Sequence, residues 1–349
     1  MLHCSDSGGS PVKILVVTDA WKPQVNGVVR TLESVRRELA AMGHHVHLAT
    51  PRDHQTIPLP TYPEIRLAML PRRKVEAAID QFAPDALHIA TEGPLGVTAR
   101  AICMKRQLPF TTSLTTRFPE YLHLRMPLVP AWLAYAALRL FHSPAHVTMV
   151  STELFIRELK AKGFEKVRLW TRGVDVQHFR PVQKAGLLVF RRQLRPPVFL
   201  YVGRLAVEKN IEAFLSLDLP GTKLIAGDGP QRAQLQKRYP KAVFVGQKTG
   251  DDLVACYNAA DVFVFPSRTD TYGLTMLEAL ACGVPVAAYP VQAPLAVIGD
   301  TNAGCLHEDL RIACLNALSI PRESCRNVAL RHSWRASAEQ FIGNLAVFG

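Results

Sequence analysis

The chain has 349 residues, a length that at roughly 100–200 residues per domain predicts two domains, each able to bury its own core. With 48% hydrophobic and 20% charged residues it reads as globular, which excludes a disordered chain or a fibrous repeat. Lys and Arg outnumber Asp and Glu by 41 to 29, a net +12 of which +8 falls in residues 1–180, so phosphate-bearing partners are favoured: nucleotide or anionic lipid.

Nucleic acid is not an expected partner, because no basic run exceeds Arg72-Arg73-Lys74 and no RNA-binding consensus occurs. The longest uncharged apolar run, Met126 to Leu138, holds Pro127 and Pro130 and is too short to span a bilayer. No basic segment followed by an apolar stretch opens the chain, so a cytoplasmic location is expected. The seven cysteines are never spaced C-x-x-C, and reduced thiols with no metal site are the expectation.

In chain order, short β-branched runs alternate with helix-period stretches, the pattern of parallel sheets with helical crossovers. Strands are predicted at Lys13–Thr18, Val46–Ala49, Ala86–Ile89, Pro109–Ser113, Val147–Val150 and Val167–Trp170. Between the first two, Val28, Val29, Leu32, Val35, Leu39 and Met42 form one stripe of a helix from Gly27 to Met42. From Gly173 to Pro197 the periodicity lapses and Pro and Gly accumulate, which reads as a connector. A second series follows, with strands at Val198–Val202, Lys223–Ala226, Ala242–Val245, Val262–Phe265 and Val284–Ala287, and the tail beyond Leu306 reads as two or three helices. The expected fold is α/β, with two doubly wound domains at 1–180 and 181–330 and a terminal helical segment, 331–349, returning to the first domain. A cleft between two such sheets binds ligands where βα loops and helix amino ends converge.

Two elements of the second domain carry the chemistry. In Phe265–Pro285 a strand leads into a helix, with Asp270 in the loop, Gly273 at the helix start and Glu278 more than a turn inside. The free N–H groups at Gly273, Leu274 and Thr275 suit an anion, and the two carboxylates suit sugar hydroxyls. In Tyr201–Asn210, Arg204 and Lys209 follow Gly203 at a strand end, a placement suited to a diphosphate. His45 and His47 alternate on a strand, and His142 and His146 flank Pro144; both pairs read as structural.

With these residues in place the chain resembles the retaining GT-B glycosyltransferases of family 4, the glycosyl transferases group 1, nearest to lipid-glycosylating members. The resemblance runs through ILVVTDAWKPQVNGVVRTL, STELFIRELKAKGF, TRGVDVQHFRP, VGRLAVEKN, AGDGPQR, the Asp270–Glu278 segment and the closing HSW. It implies that Arg204 and Lys209 hold the donor diphosphate, Asp270 the transferred sugar and Glu278 the ribose. It further implies that Gly203, Gly273, Leu274 and Thr275 line the donor, that Val245 and Gly246 neighbour the base, and that Gly27 and Thr115 face the cleft from the first domain. No cofactor or metal is implied, since the nucleotide sugar is itself a substrate.

The chain departs from the family pattern twice. Asp270 stands where a glutamate is usual, which keeps the charge and shortens the reach. Thr115 takes the place of a histidine in Ser113–Tyr121 and cannot carry a charge or shuttle a proton. The implied activity is transfer of a hexose or hexuronic acid, with retention, to a diacylglycerol-like membrane lipid at the inner membrane surface. The alternatives are a polysaccharide or lipopolysaccharide acceptor, and a nucleotide-sugar-binding protein without turnover. The stretch Arg117–Trp132 mixes aromatic, aliphatic and basic residues and is read either as a bilayer-surface segment or as a buried connection.

Overall fold

The computed structural model describes residues 10–24, 26–59, 62–117, 119–120, 130–182 and 194–348. Its N-terminal lobe is built on strands β1 (Lys13–Val17), β2 (His45–Ala49), β5 (Ala86–Ile89), β6 (Thr111–Ser113), β7 (Thr148–Val150) and β8 (Val167–Leu169). They form one parallel sheet in the order β2-β1-β5-β6-β7-β8. Helices α1 (Gly27–Ala41), α2 (Arg72–Phe82), α3 (Pro94–Arg106), α4 (Ala131–His142) and α5 (Glu153–Ala161) supply the crossovers. An antiparallel hairpin, β3 (Thr56–Leu59) with β4 (Tyr62–Ala68), stands beside this sheet and was not expected. Its prolines and polar residues mask the alternation that marks a strand.

The C-terminal lobe repeats the scheme with β9 (Val198–Val202), β10 (Thr222–Ala226), β11 (Val243–Gly246), β12 (Val262–Phe265), β13 (Val286–Ala288) and β14 (Gly304–Leu306), ordered β11-β10-β9-β12-β13-β14. Its helices are α6 (Ile211–Leu215), α7 (Arg232–Arg238), α8 (Gly250–Ala259), α9 (Leu274–Ala281), α10 (Gln292–Ile298), α11 (Leu310–Ala317) and α12 (Arg322–Ala329). β12 is apolar at every position because both faces of this sheet are covered: Phe263 and Phe265 enter one core, Val262 and Val264 the other.

The last helix, α13 (Trp334–Asn344), crosses back: Trp334, Ala338 and Phe341 pack with Ile14, Val16, Leu32 and Trp170 of the N-terminal lobe. The stretch read as a loose connector is in its first part firmly packed. Val174 is buried in the C-terminal core, Phe179 lies edge-on to Tyr257, and Arg326 donates to the carbonyls of Val176 and Phe179. Gly173 is pressed against the Ser333–Trp334 backbone, where an added Cβ would come within 2.4 Å of the Trp334 nitrogen. The two chain crossings therefore touch. The remainder of the connector, 183–193, lies outside the described residues, as does most of 117–132.

Candidate active site

Both sheets reverse their winding once, β1 against β5 and β9 against β12, and a doubly wound sheet opens its ligand crevice at that point. On the C-terminal side the loops after β9 and β12 meet there. Lys209 pairs with Asp270, Asn210 Nδ2 donates to the Pro266 carbonyl at 3.1 Å, and Thr269 Oγ1 donates to the Glu208 carbonyl at 3.2 Å. Arg204 is held at the end of β9, its carbonyl accepting from Tyr201 Oη at 2.9 Å. Gly227 sits beside it because an added Cβ would fall 1.8 Å from the Gly203 carbonyl oxygen. Only a residue without a side chain lets the two strand ends approach so closely.

α9 starts at Gly273, whose φ of +84° and contacts with Met276 and Phe265 exclude a Cβ. No side chain caps this helix, so its first N–H groups keep their capacity for an anion. One turn on, Glu278 is 5% exposed rather than solvated. Its carboxylate accepts from Tyr257 Oη at 2.7 Å and from Arg30 Nη1, on α1 of the other lobe, at 2.5 Å. The Glu278 charge raises the Arg30 pKa, and burial, followed by that same charge, raises that of Tyr257.

Three further contacts close the lobes over the loop. Thr271 Oγ1 donates to the Thr115 carbonyl at 2.8 Å, Ser151 Oγ donates to the Thr271 carbonyl at 3.1 Å, and an added Cβ on Gly27 would lie 3.8 Å from Leu274 Cδ1. Tyr272 reaches the chain crossings, its hydroxyl 3.1 Å from His332 Nδ1. Behind Glu278 a cavity of about 740 Å³ extends between α1 and the crossing, lined among others by Arg30, Arg37, Asp175, Leu253 and Leu274.

The N-terminal wall is built differently. Its strand ends carry buried hydroxyls bonded to imidazoles: His88 bonds to Thr111 Oγ1 (2.9 Å) and Ser113 Oγ (3.2 Å), and His142, at the end of α4, bonds through Nδ1 to Thr112 Oγ1 (2.9 Å) and lies with Nε2 3.3 Å from Glu92 Oε1. Burial pushes the His88 pKa down to about 3. The carboxylate in the loop after β1, Asp19, is spent on structure. It accepts from Thr91 Oγ1 and from the Leu95 and Gly96 amides, which caps α3, and burial raises its pKa. Asn26 caps α1 in the same way through the Val28 and Val29 amides.

Of the residues singled out in the sequence, Lys209, Asp270, Gly273, Leu274, Glu278, Gly27 and Thr115 are thus linked by direct contacts or chain adjacency around one crevice. Thr275 follows in the first turn of α9. Arg204 and Gly203 border it at the end of β9, while Val245 and Gly246 end β11 two strands away, with the Gly246 carbonyl accepting from the Gly227 amide at 2.8 Å. Sequence reasoning missed Arg30, Tyr257, Ser151 and Thr271. Arg30 stood three residues beyond Gly27 in a motif already quoted, but its partner lies 248 positions away. Among the described residues no group of three His, Cys, Asp or Glu is placed to hold a metal ion, and the six cysteines described are free.

The sequence model described as Glycosyltransferase Family 4 matches residues 25–178, and that of the glycosyl transferases group 1 matches residues 196–318. A GDP-mannose-dependent alpha-mannosyltransferase of Mycobacterium tuberculosis is 30% identical over 84% of this chain and 83% of its own length. The chain belongs to glycosyltransferase family 4. It is accordingly an enzyme that transfers a glycosyl group from a nucleotide-sugar donor. Another family 4 relative, the alpha-monoglucosyldiacylglycerol synthase of Streptococcus pneumoniae, is 28% identical over 95% of this chain and 83% of its own length. Among solved structures, the sucrose-phosphate synthase of Thermosynechococcus elongatus superposes with a TM-score of 0.74 at 21% identity, covering 95% of this chain and 97% of that one. The Anabaena HepE complex with UDP and glucose gives 0.71 at 16% identity, covering 95% and 98%. These likenesses establish the GT-B fold of this family 4 chain.

Proposed function

We propose that the protein transfers a hexosyl or hexuronosyl group to a diacylglycerol-like membrane lipid with retention of configuration, giving an α-linkage. The observation that carries this reading is the joining of Lys209, Asp270 and the uncapped start of α9 in one crevice, with Glu278 a turn beyond. An arriving diphosphate takes over the Lys209 ammonium, with Arg204 beside it and the α9 amides opposite. This exchange releases Asp270 toward the hydroxyls of the transferred sugar, and Glu278 accepts from the ribose. The nucleoside diphosphate is a good leaving group, so stabilising its developing charge and orienting the acceptor are the main tasks. Residues of this chain can do both without a metal ion.

Retention follows if the acceptor hydroxyl attacks from the face the diphosphate leaves, with a diphosphate oxygen taking its proton. That route needs neither a protein nucleophile nor a charged group at Thr115. Closure of the lobes excludes water, which would otherwise compete for the sugar. The lipid acceptor is supported by the relatives: the Streptococcus synthase is named for a glucosylated diacylglycerol, and a sulfoquinovosyl transferase of Arabidopsis thaliana is 30% identical over 76% of this chain.

The test is incubation with a panel of nucleotide sugars, UDP-glucose and GDP-mannose included, together with total membrane lipid. Products are read by mass spectrometry and anomeric NMR. An α-glycosylated lipid is expected. Transfer to oligosaccharide alone would replace the acceptor, and tight donor binding without turnover would replace the activity.

A further inference from the structure

Helix α4 is apolar on both of its faces. Ala134, Tyr135 and Leu138 are buried against the N-terminal lobe, yet on the opposite side Trp132 and Leu140 are each 70% exposed and Leu133 50%. A helix with this composition is normally enclosed, whereas this one lies at the surface. Beside it α3 presents Val97, Ala101 and Met104, spaced for one helical face, with Val97 and Met104 about half exposed. Arg100 joins the two helices: its Nε and Nη2 donate to the Phe141 and Leu140 carbonyls at 2.8 and 2.9 Å.

We propose that the joint α3–α4 face is the surface by which the protein docks on an anionic bilayer, Trp132 and Leu133 entering the interface and Arg100, Lys105 and Arg139 meeting lipid phosphates. The charge pattern selects this occupant. Neither helix carries an acidic residue, while three cations border the apolar residues. Apolar side chains ringed by Arg and Lys, with an amphipathic indole, suit an acyl–headgroup boundary. A second copy of the same face would instead bring like charges together.

The fold also orients this surface usefully. α4 joins parallel strands β6 and β7, so it runs against them and starts at their carboxyl ends, the edge that forms the cleft. Trp132 and Leu133 thus lie at the cleft rim, which sets a lipid acceptor within reach of the crevice. This inference rests on the lipid-acceptor reading for its purpose but not for its test.

The experiment measures binding of the full chain to vesicles of phosphatidylcholine alone and mixed with phosphatidylglycerol. Sedimentation and tryptophan emission are followed, with brominated lipid as quencher. Trp170 and Trp334 are buried and Trp21 packs partly buried on the N-terminal core, so Trp132, at 70% exposure, is the main reporter among the four tryptophans. Expected are association favoured by phosphatidylglycerol, a blue shift with quenching, and at least tenfold weaker binding in Trp132→Ser/Leu133→Ser/Leu140→Ser at unchanged nucleoside diphosphate affinity. Arg139→Gln should weaken binding about fivefold. Undiminished vesicle binding by the triple variant overturns the proposal, as does a wild type that ignores vesicles and forms a dimer which the variant loses. Vesicle binding without any glycosylated lipid leaves the docking face standing and removes the lipid acceptor.

Discussion

The two walls of the cleft are made from the same sheet architecture and furnished in opposite ways. In the N-terminal lobe the amino ends of α3 and α1 are filled from within, by Asp19 and Asn26, and the strand ends carry hydroxyls bonded to His88, which burial keeps uncharged, and to His142. In the C-terminal lobe α9 begins at a bare glycine, and full charges stand around it. Under the proposed function, the difference teaches where charge is handled. A departing diphosphate needs cations and open amides, whereas a hydroxyl-bearing acceptor needs neutral hydrogen-bonding groups that do not compete for the anion.

The largest expected effect breaks the charged wall. Lys209→Ala removes a cation and leaves Asp270 unpaired; the turnover number should fall about 100- to 1,000-fold, the scale of a lost transition-state contact, while Asn210→Ala changes it far less. Steady-state kinetics separate the two. The pair that ties the walls together comes next. Arg30→Met or Glu278→Gln strands a charge whose partner is mostly buried. Removing one partner of a fully buried pair costs about 3–5 kcal/mol, and because the Arg30 side chain keeps 31% of its exposure the lower end applies. A double-mutant cycle on thermal unfolding should return a coupling of about 1–3 kcal/mol; strict additivity would mean that the lobes are not joined there.

The N-terminal wall is sharpened by pH. His88 is held uncharged in the folded lobe, its pKa near 3 against 6.5 in an unfolded chain. Below 6.5 the unfolded state therefore binds the extra proton, so stability is complete above that pH and declines as pH falls toward 3. Each unit costs up to about 1.4 kcal/mol. His88→Gln should unfold with a shallower acid dependence, measured by circular dichroism. The smallest effect concerns the closing contact: Thr271→Val loses one hydrogen bond to the Thr115 carbonyl, about 1 kcal/mol, expected as a modest rise in KM for the acceptor with donor affinity unchanged.

How much was legible in the sequence follows the range of the interactions. Val198–Val202 and Val262–Phe265 coincide with β9 and β12 because strands covered on both faces are written as unbroken apolar runs. Asp270, Gly273 and Glu278 stand close together in the chain, so their shared task shows as a motif. The Arg30–Glu278 pair spans 248 positions, and nothing local marks a guanidinium as the partner of a carboxylate in another lobe. β14 has only three residues, Gly304–Leu306, at a sheet edge, and the hairpin Thr56–Ala68 carries Pro58 inside a strand. Both are held by neighbours rather than by their own pattern. Thr115 was noted for the side chain that replaces a histidine, yet it is its carbonyl that engages the loop before α9.

The most direct measurement is calorimetric titration of UDP and GDP, each alone, into the wild type and into Lys209→Ala at equal folded fraction. One diphosphate should bind the wild type, and the variant should bind it at least tenfold more weakly. Equal affinities in the two proteins would contradict the assignment of the leaving group to the charged wall.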